Sequence, residues 1–203
     1  MATSICELLK SAGLNSNRLR TIHWGEPIDN SSVGIYIVST SSKPDANSNH
    51  FAAAPIDENK LRIWINKVKT ICIDGSPNPT VAELKQRLNR FWLPDESIIY
   101  IGQTECSGGL KRRMLQYYKT ELGDTKPHAG GHWIKTLKNL NQLFVHYIST
   151  MNPEQTEAKL MQNFVAQVSD STRKKIGTHV LPLPFANLEL EKWKRKNHGI
   201  TFS

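Results

Sequence analysis

Two segments of this chain each carry a tyrosine inside a run of β-formers, and they constrain its fold more than any other feature. Residues 32–40 read SVGIYIVST, and residues 97–104 read SIIYIGQT. β-Branched and aromatic residues dominate both, which favours strands. Pairing the two strands would put the phenols of Tyr36 and Tyr100 on one surface. A third run, LFVHYI at 143–148, reads as another strand.

Helical patterns surround these strands. Ser4 and Glu7 form a capping box ahead of Ile5, Leu8 and Leu9, and Gly13 is a stop signal. The polar, Asn- and Arg-rich stretch after it has no strand or helix pattern. Residues 39–49 read as a loop. Leu61, Trp64, Ile65 and Val68 follow helical spacing, then Ile71-Cys72-Ile73 leads into an Asp74-Gly75 turn. Thr80 and Glu83 open a second capping box, and Pro94 closes the helix of Val81, Leu84, Leu88 and Phe91. Leu110, Met114 and Tyr117 mark a further helix with Lys111, Arg112 and Arg113 in its first turn. Cations there oppose the helix dipole, a local cost that points to function or to an exposed face. A short helix around Trp133, Ile134 and Leu137 follows, and a longer one runs from Pro153 to about Val168. The expected class is α/β, a single domain over 1–203 with a helical insertion at 39–96 and a basic tail at 188–203.

The chain has 203 residues, is 38% apolar, and carries a formal charge of +8 with a pI near 9.4. That balance favours a polyanionic partner, nucleic acid first and acidic membrane second. Cys6, Cys72 and Cys106 are scattered and form no CxxC pair, which argues against a zinc ribbon or disulfide framework and for a reducing cytoplasm. No basic start precedes an apolar core, so no signal peptide is expected. No apolar run approaches the ~20 residues of a membrane span.

Hydrolysing a phosphodiester needs an activated water, neutralised phosphoryl oxygens and a stabilised leaving oxygen. A cation held by one carboxylate supplies the last two with help from an arginine. A free phenol titrates near 10. Neighbouring cations are expected to lower that value by favouring the phenolate.

In order along the chain stand Gly34-Ile35-Tyr36, Tyr100-Ile101-Gly102, Leu110-Lys111-Arg112-Arg113, Glu157-Ala158-Lys159-Leu160 and, later, Phe185-Ala186-Asn187. This series resembles the GIY-YIG nuclease superfamily, over roughly 33–38 and then 98–187. The resemblance implies a small, mostly antiparallel three-stranded sheet flanked by helices, and one divalent cation, Mg2+ or another such as Mn2+. It implies that Tyr36 and Tyr100 stand beside the attacked phosphate and that one of them is the general base. Arg113 would grip phosphate oxygens through its planar fork, with Arg112 as the rival register. Glu157 would hold the metal through oxygen, with Glu154 as its rival. His128 is a candidate partner of a motif tyrosine or the water, with His132 as its rival. The four-residue spacing of those histidines lacks the glutamate of a helical zinc motif. Asn187 would hydrogen-bond around the carboxylate or phosphate. Lys111, Arg112, Lys174 and Lys175 are candidates for backbone contact through charge. The long interval between the tyrosine motifs departs from the family's short hairpin, and loop-closure entropy tolerates it.

The function implied is a metal-dependent endonuclease acting on DNA, double-stranded by preference, of restriction or defence type, with a homodimer serving both strands. Repair or mobile-element cleavage is the neighbouring reading. The alternatives outside catalysis are a nucleic-acid-binding module that keeps the fold without hydrolysis, and a protein-interaction domain docking through the inserted helices.

Overall fold

Both tyrosine segments form strands, and they lie side by side. The computed structural model describes residues 4–47, 51–124, 131–177, 179–191 and 193–202. The first half runs α1 (Ile5–Ser11), β1 (Arg20–His23), β2 (Gly34–Ser39), α2 (Glu58–Lys67), β3 (Ile71–Ile73), β4 (Ser76–Pro77), α3 (Val81–Asn89) and β5 (Ile98–Thr104). The second runs α4 (Gly109–Lys119), α5 (His132–Lys135), β6 (Phe144–Ser149), α6 (Pro153–Gln167), α7 (Asp170–Ile176), β7 (Glu189–Glu191), β8 (Lys194–Arg195) and β9 (Ile200–Phe202). The chain is therefore α/β with antiparallel sheets.

The main sheet has the order β1-β6-β2-β5, antiparallel throughout, with Tyr36 opposite Gly102 and Val38 opposite Tyr100. It has four strands where three were expected. The extra one, β1, comes from the polar stretch that showed no pattern. Only Ile22 is apolar in it, so alternation is absent. Backbone pairing with β6 and a 2.8 Å Thr21–His146 hydrogen bond hold it instead.

Strand β2 lies inside the sheet and is buried from end to end. Ile35 and Ile37 join a core formed with α1 and α6, through Leu8, Leu9, Leu160 and Phe164. Tyr36 and Val38 face the other way, into a core with Leu61, Leu88, Met114 and Tyr117. A bulge in β5 keeps this sorting consistent. Ser39 pairs with Ile98 and Val38 with Tyr100, leaving Ile99 as the extra residue. Ile99 and Tyr100 therefore both point into the tyrosine-side core, while Ile98 and Ile101 point to the opposite one.

The motif glycines answer to close approach. A Cβ on Gly102 would sit 2.6 Å from the hydroxyl of Tyr36 and 2.6 Å from the ring of Tyr100. On Gly34 it would lie 2.3 Å from the carbonyl oxygen of Ile148 on β6. Only glycine lets both rings lie across β5 and lets β2 meet β6 at that point.

Both capping boxes form, Ser4 with Glu7 and Thr80 with Glu83. Helix α4 has no side-chain cap. Its first free N–H groups are bonded instead by loop carbonyls ahead of β2, Leu110 N–H to Ser32 at 3.0 Å and Lys111 N–H to Asn30 at 2.8 Å. This ties the start of the arginine helix to the first tyrosine strand.

The insertion at 39–96 contains its two expected helices, α2 and α3, and also the β3–β4 hairpin. The segment read as a basic tail at 188–203 folds back: β7 and β8 form a hairpin, and β9 pairs with β3, giving the sheet β4-β3-β9. Asp74 and Arg87 form an ion pair beside this junction, and Arg87 also donates to the His198 carbonyl at 3.1 Å. Insertion and C-terminal segment thus make one composite lobe. No helix among the described residues is long and apolar enough to cross a membrane.

Candidate active site

Tyr36 sits on β2, Tyr100 on β5 and Tyr117 on α4, and their ring centroids form a triangle with sides of 5.9, 6.1 and 5.5 Å. The bulge in β5 and the bare face of Gly102 bring the first two together. Tyr117 was expected only as a core residue of its helix. Its i, i+4 relation to Arg113 was the available signal, because it places both on one face of α4.

Arg113 is half-buried against this triangle. It and Tyr100 both hydrogen-bond to the oxygen of Tyr36. The Nε of Arg113 is buried and has no hydrogen-bond partner among the described residues. A buried guanidinium nitrogen left over in this way suits an anion. Glu157 approaches from α6, near enough for its charge to act on Tyr36, Tyr100 and Arg113.

Tyr100, Arg113, Glu157 and Asn187 line one cleft of about 1000 Å3. Tyr36 lies beneath it, with no exposed surface. The composite lobe supplies the opposite wall through β7, β8, β9 and Trp64 of α2. Glu154, the rival of Glu157, lines the same cleft one turn earlier on α6.

The expected lowering of the phenols does not occur. Burial pushes Tyr36 up to about 12, although Arg113 and the Tyr100 hydroxyl pull against it. Burial also raises Tyr100 well above 10, and its hydrogen bond to Tyr36 adds to the effect. Desolvation outweighs the cation for both, so at neutral pH they are hydroxyls. The two are not equivalent. The Tyr36 oxygen receives hydrogen bonds from Arg113 and Tyr100, so negative charge is better supported there.

Glu157 is raised to about 7 by burial, which Arg113 opposes and Glu154 reinforces. No hydrogen bond contributes to that shift. A partly buried carboxylate with no donor among the described residues, facing a cleft, fits a hard cation that takes its other oxygens from water and phosphate. No group of three or more His, Cys, Asp or Glu suited to a metal occurs among the described residues. Any cation here would rest on the acidic pair of α6.

The remaining expected residues divide. Asn187 lines the cleft, but its side chain is committed to the backbone of Ile101. Its Oδ1 accepts from Ile101 N–H at 2.9 Å and its Nδ2 donates to Ile101 O at 2.8 Å. It fixes β5 beside Tyr100 rather than bonding a carboxylate or phosphate. Lys111 and Arg112 are exposed on α4; Lys111 pairs with Asp29 at 3.3 Å and Arg112 donates to the Ser107 carbonyl at 3.3 Å. Lys174 and Lys175 are exposed in the last turn of α7 and are not part of the cleft. His128 lies outside the described residues. Its rival His132 lines the cleft, and burial lowers its pKa from 6.5.

Sequence reasoning missed further cleft residues. Gln103 has a buried Oε1 without a partner among the described residues, and Trp64 has an Nε1 in the same state. Lys196, read as tail, is buried and donates to the carbonyls of Pro184 and Phe185 at 3.0 and 2.9 Å. It pins the turn that delivers Asn187. Comparison with protein-family models, with curated proteins and with solved structures finds no match.

Proposed function

We propose that this protein is a divalent-cation-dependent endonuclease that hydrolyses phosphodiester bonds in DNA. The observation that carries the reading is the convergence of Tyr100, Arg113 and Glu157 on a single cleft, with Tyr36 buried beneath it and hydrogen-bonded to Tyr100 and Arg113, four residues from four separate elements. The net charge of +8 suits a polyanionic substrate.

Each residue has a distinct task in this reading. Glu157 would hold Mg2+ or Mn2+, which when bound supplies Lewis-acid stabilisation of the phosphoryl and leaving oxygens. Arg113 neutralises charge on the phosphoryl oxygens through its free Nε edge. Tyr100 orients the water and donates to Tyr36. Once Tyr36 has lost its own proton to solvent, its phenolate would be the better supported final acceptor: Tyr100 would take the proton of the attacking water and pass its own to Tyr36, whose oxygen Arg113 and Tyr100 stabilise. Asn187 and Lys196 hold the strand and turn that keep this geometry. A restriction or defence role is the biological setting that goes with a nuclease of this kind.

One observation favours a second reading. Tyr36 is fully buried and stays protonated to about 12, which suits a module that grips nucleic acid without cutting it. The two readings separate in one experiment. Purified protein is incubated with supercoiled plasmid and Mg2+, with and without chelator. Nicked and linear products that disappear on chelation, together with a Glu157→Ala protein that binds but does not cut, support the nuclease. Salt-sensitive binding without products under Mg2+ or Mn2+ supports the binding module.

A further inference from the structure

The cleft has a second set of walls that the hydrolytic residues do not use. Trp64, Trp133, His132 and Phe202 line it alongside Arg113 and Glu157. The Trp64 ring lies 6.1 Å from Phe202 and 6.4 Å from His132. Phe202 is 57% exposed, an unusual position for a phenylalanine that borders a site. Trp64 is only 1% exposed, yet its Nε1–H has no acceptor among the described residues. The Nε2 of His132 is also buried and unpartnered among them. A buried donor without an acceptor is a standing cost that a ligand with ring nitrogens or carbonyl oxygens would relieve.

Charge on this part of the cleft cancels. Glu189 pairs with Arg195 at 3.6 Å and Glu191 with Lys194 at 2.7 Å. Lys196 is spent on two backbone carbonyls. What remains is aromatic and neutral, whereas the α6 side carries Glu154, Glu157 and Arg113. A nucleotide has that same division, a charged phosphate and a neutral, hydrogen-bonding ring. The volume of about 1000 Å3 is that of a small-molecule site. A duplex, whose major groove alone is about 12 Å wide, does not enter such a space.

We propose that the cleft takes one nucleotide freed from its pairing partner, with its phosphate at Arg113 and Glu157 and its base among Trp64, His132 and Phe202. The substrate is then single-stranded DNA, or duplex DNA carrying an unpaired or extruded base, rather than a continuous duplex. This deepens the endonuclease reading and rests on it for the cleavage step, while base capture is measured by binding alone.

The test uses the full chain with Glu157→Gln, so that nothing is cut. Fluorescence anisotropy at one salt concentration compares a single strand, a duplex with one bulged nucleotide and a fully paired duplex. The first two bind about tenfold or more tighter than the third. Adding Phe202→Ala removes about tenfold from the first two and leaves the paired duplex unchanged, the size expected for one lost stacking partner. Trp64→Phe, which keeps an aromatic ring there and deletes the donor, removes a few-fold in the same direction. Equal or tighter binding of the paired duplex, no binding of any of the three, or a preference that Phe202→Ala leaves undiminished overturns the inference. If the native protein cuts none of the three with Mg2+ or Mn2+ while the binding preference holds, the nuclease reading fails and the pocket assignment stands.

Discussion

Replacing Glu157 by glutamine should make the protein more stable at alkaline pH, although it removes the residue assigned to the metal. The carboxyl is held at about 7 in the folded chain, against an ordinary 4.5. An acid whose folded pKa is raised binds its proton more tightly folded than unfolded. Below 4.5 both states are protonated and the group has no effect. Between 4.5 and 7 the unfolded state ionises first, and stability falls as pH rises. Above 7 the full cost is present. The displacement corresponds to ~3 kcal/mol at ~1.4 kcal/mol per pH unit, and residual solvent contact of the partly buried carboxylate brings the expected gain to about 1–3 kcal/mol. Glutamine keeps the shape and removes the charge. Urea unfolding of both proteins across pH 5 to 8, without divalent ions, measures the difference. Glu96 is also raised to about 7, but it contributes equally to both proteins and cancels. The predicted difference at pH 5 is about a quarter of its full size, because the unfolded carboxyl is already largely ionised there, and it reaches its maximum by pH 8. Saturating Mg2+ should shrink it, because the cation stabilises only the native carboxylate. A glutamine variant less stable than the native protein at pH 8, or a difference independent of pH, would refute the electrostatic account of this site.

Three further predictions follow from the same geometry. Gly102→Ala forces a Cβ within 2.6 Å of Tyr36 and Tyr100, so thermal unfolding should show a loss of about 1–3 kcal/mol, and plasmid cleavage should fall with it. Asn187→Ala leaves the N–H and C=O of Ile101 without their side-chain partners; denaturant titration should show a cost of about 2 kcal/mol, with cleavage per folded molecule largely retained if the residue only positions β5. Arg112→Ala, on the exposed face of α4, should lower the slope of log affinity against log salt by about 1 and leave the cleavage rate at saturating DNA unchanged.

Much of the frame was legible because its signals are local. The capping boxes at Ser4–Glu7 and Thr80–Glu83 need only four consecutive residues, and the tyrosine strands only a run of β-formers. What escaped depends on partners distant in sequence. β1 has one apolar residue and exists through its pairing with β6, 125 positions away at Thr21 and His146. β9 pairs with β3, 129 positions away at Cys72 and Thr201, which turned an apparent basic tail into a cleft wall and buried Lys196. Tyr36, Tyr100, Arg113 and Glu157 were named from motif order, and the structure brings them to one place. Their electrostatics were not legible: a nearby cation and burial push a phenol in opposite directions, and only packing decides which prevails. Asn187 was named for the right location and the wrong contact, since nothing in a sequence says that an amide will be consumed by a strand backbone.

The most direct measurement is single-turnover cleavage of end-labelled DNA with Mg2+ by the native protein and by Tyr36→Phe, Tyr100→Phe, Arg113→Ala and Glu157→Gln, each checked for folding and DNA binding. One shared site predicts that every substitution slows cleavage about 100-fold or more while binding persists, with Tyr36→Phe costing more than Tyr100→Phe. Native-like cleavage by any folded member of the set would contradict it.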